Sequence, residues 1–183
     1  MASRYDDELW RLVPEDPGPP PAHLVEFVRG LGWAERALDV GCGDGRLTAE
    51  LDAAEVTAAD VSAVALERAR RRLPDARLVE LEPDAPLPLE DAVFDLVLCA
   101  ETIEHVRDVQ LLLSEIRRVL TPRGTLALTT PARLPLGRPP DPLSPHLRQF
   151  TRRSLSRLLD DMGFEIASLR RRSGTLLSVA TRA

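Results

Sequence analysis

Ala37-Leu38-Asp39-Val40-Gly41-Cys42-Gly43-Asp44-Gly45 is the stretch whose reading decides the fold. A short apolar run passes directly into three glycines at alternate positions. Such a run suits a strand buried on both faces. The glycines allow positive φ and close approach of backbone to a ligand. A helix is expected from near Gly45 to about Asp52, with free N–H groups facing the ligand. Beyond it, Val56–Ala59 reads as a second strand ending at Asp60, and Ser62 as the cap of a helix through Arg72. Arg77–Leu81 is a third strand, followed by a Pro-rich acidic loop over 82–92. Phe94–Ala100 is almost wholly apolar and reads as the central strand. Residues 108–120 place Val109, Leu112, Leu113, Ile116, Val119 and Leu120 at helical spacing.

Further out, Pro122 and Gly124 predict a turn into strand Thr125–Thr129. A proline-rich loop of about 20 residues follows, a length that within a compact domain points to a binding loop. Thr151 or Ser154 starts a helix to Met162. Phe164–Arg170 and Thr175–Thr181 are strands around Ser173-Gly174, close enough to pair antiparallel. On the other side, 5–12 and 22–31 read as helices separated by Pro14, Pro17, Pro19, Pro20 and Pro21. The alternation predicts an α/β fold: a doubly wound, mostly parallel seven-stranded sheet, helices on both faces and a C-terminal antiparallel strand pair. One domain over 1–183 is expected, divided into an N-terminal helical segment (1–32), a cofactor-binding core (36–130) and a substrate loop, helix and hairpin (131–183).

Composition bounds the function. With 183 residues and 44% apolar residues, the chain can bury a substantial core. The start lacks the apolar stretch of a secretory signal, and no run approaches membrane-spanning length, so the cytoplasm is the expected location. Cys42 and Cys99 lie in apolar surroundings without paired spacing, which argues against a disulfide or zinc. All 24 basic residues are arginine. The net charge of −5 is unevenly spread: residues 1–132 carry 14 arginines against 25 acids, and residues 133–172 carry nine against four. The second segment is either a solvated helix face or a basic rim for an anionic acceptor.

In an open parallel sheet, ligands bind beyond the carboxyl ends of the strands at the switch point. The glycine turn occupies that place, and Asp60 could accept both hydroxyls of a ribose. A dinucleotide fingerprint would need glycine at 46, where this chain has Arg46. Asp39 and Asp44 would also repel a pyrophosphate. A cofactor carrying ammonium and sulfonium suits them better.

Here the sequence resembles class I, Rossmann-like S-adenosylmethionine-dependent methyltransferases, of the type-11 or ubiquinone O-methyltransferase kind. Leu38–Gly45 is similar to their first motif and Val56–Ser62 to their second. Leu87-Pro88 with Asp91–Val97 resembles the entry to their fourth strand. Glu115–Gly124 resembles their helix and Pro-Gly-Gly turn, with Arg123 in place of the middle glycine. The likeness runs from about 36 to 167. It implies that Asp39 and the Gly41 and Gly43 backbone lie near the methionine part, that Asp60 holds the ribose, that Val61 packs on adenine, and that Cys42, Gly45 and Ala100 are also among the cofactor-binding residues. It implies an acid near the adenine amino group, Glu82 or Asp84, with Asp84 preferred because Asp84-Ala85 matches the family's common dipeptide.

The expected activity is methyl transfer to the oxygen or nitrogen of a small-molecule acceptor. Glu101, Thr102, Glu104 and His105 follow the fourth strand at the cofactor's edge, and His146 comes from the long loop. If 101–105 is helical, Glu101, Glu104 and His105 share a face. Three roles compete: His105 or His146 as catalytic base, a divalent-ion site of Glu101, Glu104, His105 and His146, or a loop tether. The ion site resembles that of small-RNA 3′-terminal 2′-O-methyltransferases, the alternative acceptor class. Yet Glu-x-x-Glu-His also occurs in small-molecule relatives. Few aromatics (4%) and an acidic balance argue against nucleic acid. The expectation is therefore metal-free. A non-catalytic cofactor-binding partner subunit is the third alternative. The chain is short for this class, so the pocket is either open or closed by a second subunit in a homodimer.

Overall fold

A computed structural model describes residues 2–133 and 146–183, with side chains from Tyr5 onward. The long proline-rich loop expected after Thr129 therefore lies, over 134–145, outside the described residues.

Seven strands form one sheet: β1 (Ala34–Val40), β2 (Ala53–Asp60), β3 (Arg77–Glu80), β4 (Phe94–Ala100), β5 (Leu120–Pro131), β6 (Phe164–Arg172) and β7 (Thr175–Arg182). Their order is β3-β2-β1-β4-β5-β7-β6. β1 to β5 pair in parallel, while β7 runs antiparallel to both β5 and β6. The chain winds outward from β1 to β3, then returns to β4 on the other side of β1. The switch point thus lies at the carboxyl ends of β1 and β4.

The two-residue period of the strands divides the core. Leu38, Val97, Cys99, Leu126 and Leu128 pack against Leu113, Ile116 and Val119 of α4 (Val109–Val119) and Leu155 and Leu159 of α5 (Arg152–Asp161). Ala37, Leu96, Leu98 and Ala127 face the other way, against Leu24, Phe27 and Val28 of α2 (Ala22–Arg29). Cys42, Ala58 and Leu66 of α3 (Ala63–Arg72) form a third cluster. Helices therefore cover both faces, as the apolar runs required. The caps fall where the sequence placed them: Ser62 accepts from Ala65 N, and Thr151 and Ser154 form a reciprocal box. Asp108, just before α4, accepts from Leu111 N.

Two local expectations are corrected. No α-helix follows Gly45; turns lead to a single 3-10 turn, Thr48–Glu50. Thr48 directs its hydroxyl inward to Asp39 (2.6 Å), and β2 begins already at Ala53, so no room remains for a helix. The expected row of helical N–H groups is thus absent. Second, β5 starts at Leu120, not after a turn at Gly124. Arg123, standing for the family's middle glycine, takes a positive φ of 65°. The register of β4 against β5 shifts between Phe94 and Leu96 to absorb it.

Candidate functional site

The carboxyl end of β1 supplies Asp39, Gly41 and Gly43. Gly41 has φ 79°, and a Cβ there would fall on the Thr102 side chain. Gly43 has φ 55°, and its added Cβ would stand 2.7 Å from the Trp10 ring. Both positions therefore require glycine for conformation and for space. Cys42 is buried, and its thiol donates to the Gly43 carbonyl (3.5 Å). Burial pushes that thiol well above its usual range, as it does Cys99 in β4. Neither is a candidate nucleophile.

Asp39 is 2% exposed. One of its oxygens takes the Thr48 hydroxyl, while Oδ1 is buried without a hydrogen-bond partner. Burial is the main force raising its pKa, to about 7; Thr48 opposes it and the Asp60 charge adds to it. Asp60 ends β2 and is also buried. It accepts from Gly43 N (2.8 Å) and Ser62 N (2.9 Å). Burial raises it to about 6 against those two N–H groups, with Asp6 contributing. Asp44 is held in ion pairs with Arg46 and Arg72. Two buried carboxylates, one with an orphan oxygen, beside a turn that excludes side chains, suit a ligand with cationic and hydroxyl groups. They do not suit a pyrophosphate.

Val61 is half-buried and Ala100 buried at the tip of β4. Glu82 and Asp84 are both exposed. Asp84 has φ 55° and accepts from Asp108 N (3.3 Å), which ties it to the start of α4.

Beyond β4, residues 101–107 form turns, not a helix. Glu101 has φ 52°, and Thr129 Oγ1 donates to its Oε1 (2.9 Å). The shared helical face expected for Glu101, Glu104 and His105 is therefore corrected. Glu104 is 1% exposed and accepts from Thr130 Oγ1 (2.9 Å). Its Oε1 lies 3.9 Å from His105 Nε2. Leu147 N donates to the Glu104 carbonyl (2.8 Å), which brings the neighbouring His146 to the same place. The two imidazoles meet edge to face, centroids 5.0 Å apart. Glu104, His105 and His146 offer ligand atoms all within 4.8 Å of one another; Glu101 is not one of the set. The buried state of Glu104 and the backbone tie through Leu147 had no signature in the sequence, since both depend on β5 lying alongside.

The fold and this edge define a class: a Rossmann-like α/β domain with an acidic glycine turn at the carboxyl edge of its parallel strands. Residues 38–128 match the family described as "Methyltransferase domain". The chain is 42% identical over 112 residues to an uncharacterized methyltransferase of Mycobacterium tuberculosis, covering 58% of this chain and 55% of the relative. It is 32% identical over 132 residues to trans-aconitate 2-methyltransferase of Paracidovorax citrulli, covering 70% and 47%. It superposes on a SAM-dependent methyltransferase from Aquifex aeolicus with a TM-score of 0.74 at 19% identity, over 96% of this chain and 97% of that one. The chain spans about half the length of the curated relatives it matches. Residues 38–128 thus carry the methyltransferase domain of that family, on a Rossmann-like fold. No helix among the described residues is long and apolar enough to cross a membrane.

Proposed function

We propose that the chain transfers a methyl group from S-adenosylmethionine to an oxygen or nitrogen of a small, anionic acceptor. In this reading residues 36–130 hold the donor and 131–183 meet the acceptor. The observation that carries it is the Glu104, His105 and His146 cluster at the same strand edge as the acidic glycine cradle. When bound, the cofactor supplies a methyl group already activated by its sulfonium. Asp39 and the Gly41–Gly43 backbone hold the cationic methionine end, Asp60 the ribose, Val61 and Asp84 the adenine, with Cys42, Gly45 and Ala100 closing the cradle. An imidazole nitrogen of His105 or His146 takes the acceptor's proton, and the buried Glu104 carboxylate orients the pair. The arginine-rich segment and the small, anionic trans-aconitate named for one relative support an acidic acceptor. A labelled-methyl transfer screen over small carboxylates, phenols, sugars and RNA ends, with and without Mn²⁺, tests this. Turnover on RNA ends alone would overturn it. Cofactor binding without transfer to any acceptor would favour a partner subunit.

A second reading has a specific observation behind it. Three ligand atoms within 4.8 Å, one carboxylate and two imidazoles, could close on Mn²⁺ or Mg²⁺. Loss of turnover with a chelator and its return with Mn²⁺ separates the two.

Two consequences arise here. Because burial raises Asp39 and Asp60, the stability of the protonated forms is present below the ordinary carboxylate range and lost as pH rises through about 6 and 7. A cationic ligand binds the ionised forms. Cofactor affinity should therefore rise from pH 5 to pH 7.5 with release of protons, measured by calorimetry in buffers of different ionisation heat. A flat affinity over that interval would show that neither acid faces the cation. The exposed Arg152 and Arg153 of α5, with Arg148, which donates to the Arg107 carbonyl (2.7 Å), lie on the segment after His146. Neutralising the three should raise KM for an anionic acceptor and flatten its salt dependence, with cofactor affinity unchanged. A KM that stays constant across the salt range would leave them as ordinary surface.

A further inference from the structure

We propose that α1 (Ala2–Leu12) is the movable wall of the cofactor site, with Trp10 as its inner face and Asp7 as its latch. The inference rests on the donor occupying the glycine cradle, as argued above. Three independent contacts set α1 over that cradle. The Trp10 ring lies against Gly43, close enough that any side chain at 43 would collide with it. Asp7 Oδ1 accepts from the Ser62 hydroxyl (2.7 Å) and Val64 N (3.1 Å), at the start of α3 and directly after Asp60. Arg68, further along α3, places its guanidinium 5.7 Å from the Trp10 ring centroid. It also donates to the carbonyls of Val13 (3.0 Å) and Pro14 (3.2 Å), where α1 ends.

Apart from the Trp10 ring on Gly43, these contacts are hydrogen bonds and one cation–π contact. None of residues 5–12 is buried, and Tyr5 and Leu12 are 50% and 64% exposed. An element held by a few hydrogen bonds and no core side chain opens at far lower cost than a sheet strand. Yet beneath it Asp60 is only 7% exposed. A ribose cannot reach a carboxylate covered to that degree unless a neighbouring element moves. α1 is the neighbour that contributes no buried side chain among residues 5–12. The stretch from Val13 to Pro21 contains five prolines, a stiff tether on which the helix can swing as a unit. Closed, Trp10 shields the glycine turn from water, a condition for attack on a reactive methyl group.

The test uses the protein's two tryptophans. Trp33 is 66% exposed, so Trp33→Phe leaves Trp10 as the single fluorescent reporter. Rapid mixing with S-adenosylhomocysteine should change Trp10 fluorescence at a rate that saturates with ligand, the ceiling being set by opening of α1. Asp7→Ala should raise that ceiling and the dissociation rate together, about three- to tenfold for loss of a capping carboxylate, with Kd nearly unchanged. A residue that only touched the ligand would raise dissociation alone. Asp7→Asn keeps an acceptor oxygen and should stay near the parent, which separates the latch from a general loss of folding. If calorimetry detects binding while the rate climbs linearly with ligand and is the same in Asp7→Ala, the movable wall is disproved. If calorimetry detects no binding at all, the cradle itself is misassigned.

Discussion

Replacing His105 or His146 by alanine is expected to lower turnover by about 10²–10⁴ for whichever imidazole takes the proton, while a chelator changes nothing. The size follows from removing a positioned base at the edge where the methyl group is delivered. The other histidine, in edge-to-face contact 5.0 Å away, should show a smaller loss, since it packs on the first. Glu101→Ala should be mild, because its carboxylate is engaged with Thr129. The opposite result is equally concrete. If turnover vanishes with chelator and returns with Mn²⁺, and if both histidine variants and Glu104→Gln are dead, the cluster is a metal centre. Its ligand atoms, which lie within 4.8 Å of one another, would then each stand about 2.0–2.4 Å from one ion. The metal-free result is favoured by chemistry. Glu104 already accepts from Thr130 at 2.9 Å, and its other oxygen sits 3.9 Å from His105, close enough for charge attraction to a protonated imidazole without an ion.

Asp60→Ala should weaken cofactor binding by about 1–3 kcal/mol, the cost of losing charge-assisted bonds to hydroxyls. The structure adds a second route to the same loss. Asp60 accepts from Gly43 N and Ser62 N, so alanine would also leave two backbone donors without their acceptor and loosen the glycine turn. Asp60→Asn distinguishes the routes. It retains one acceptor oxygen for the turn but no charge. Calorimetry with S-adenosylhomocysteine should rank the parent above Asp60→Asn, and Asp60→Asn above Asp60→Ala. Tight binding of NAD, or equal affinity in all three proteins, would remove Asp60 from the ribose site.

Where period and punctuation carry the information, the sequence was sufficient. Apolar runs at 37–40 and 94–100 marked strands buried on both faces, and the spacing of Val109, Leu113, Ile116 and Val119 marked one face of α4. Ser62 and Thr151 announced helix starts because a capping hydroxyl acts on a backbone N–H only a few residues away. The glycine positions and Asp60 followed from two successive parallel strands ending at the same sheet edge, which dictates where the switch point falls. These are local or topological facts, and the chain states them without needing to know its partners.

The tertiary structure decided what depends on distant neighbours. Thr48 looked like part of a helix until Asp39, on the neighbouring strand, claimed its hydroxyl. Glu101 and Glu104 are three residues apart, yet Thr129 takes one and Thr130 the other. Only three of the four expected ligands therefore converge. Residues 5–12 read only as a short helix, and packing on α3 and the glycine turn set Trp10 against Gly43 and Asp7 against Ser62. Sequence alone determined the fold class and the sheet edge at which the glycine turn and Asp60 lie, because backbone periodicity and glycine conformations are properties of adjacent residues. Which side chains meet at that edge, and which carboxylates are stripped of water there, is settled by elements many residues apart in the chain, since desolvation and hydrogen-bond competition exist only once those elements are in contact.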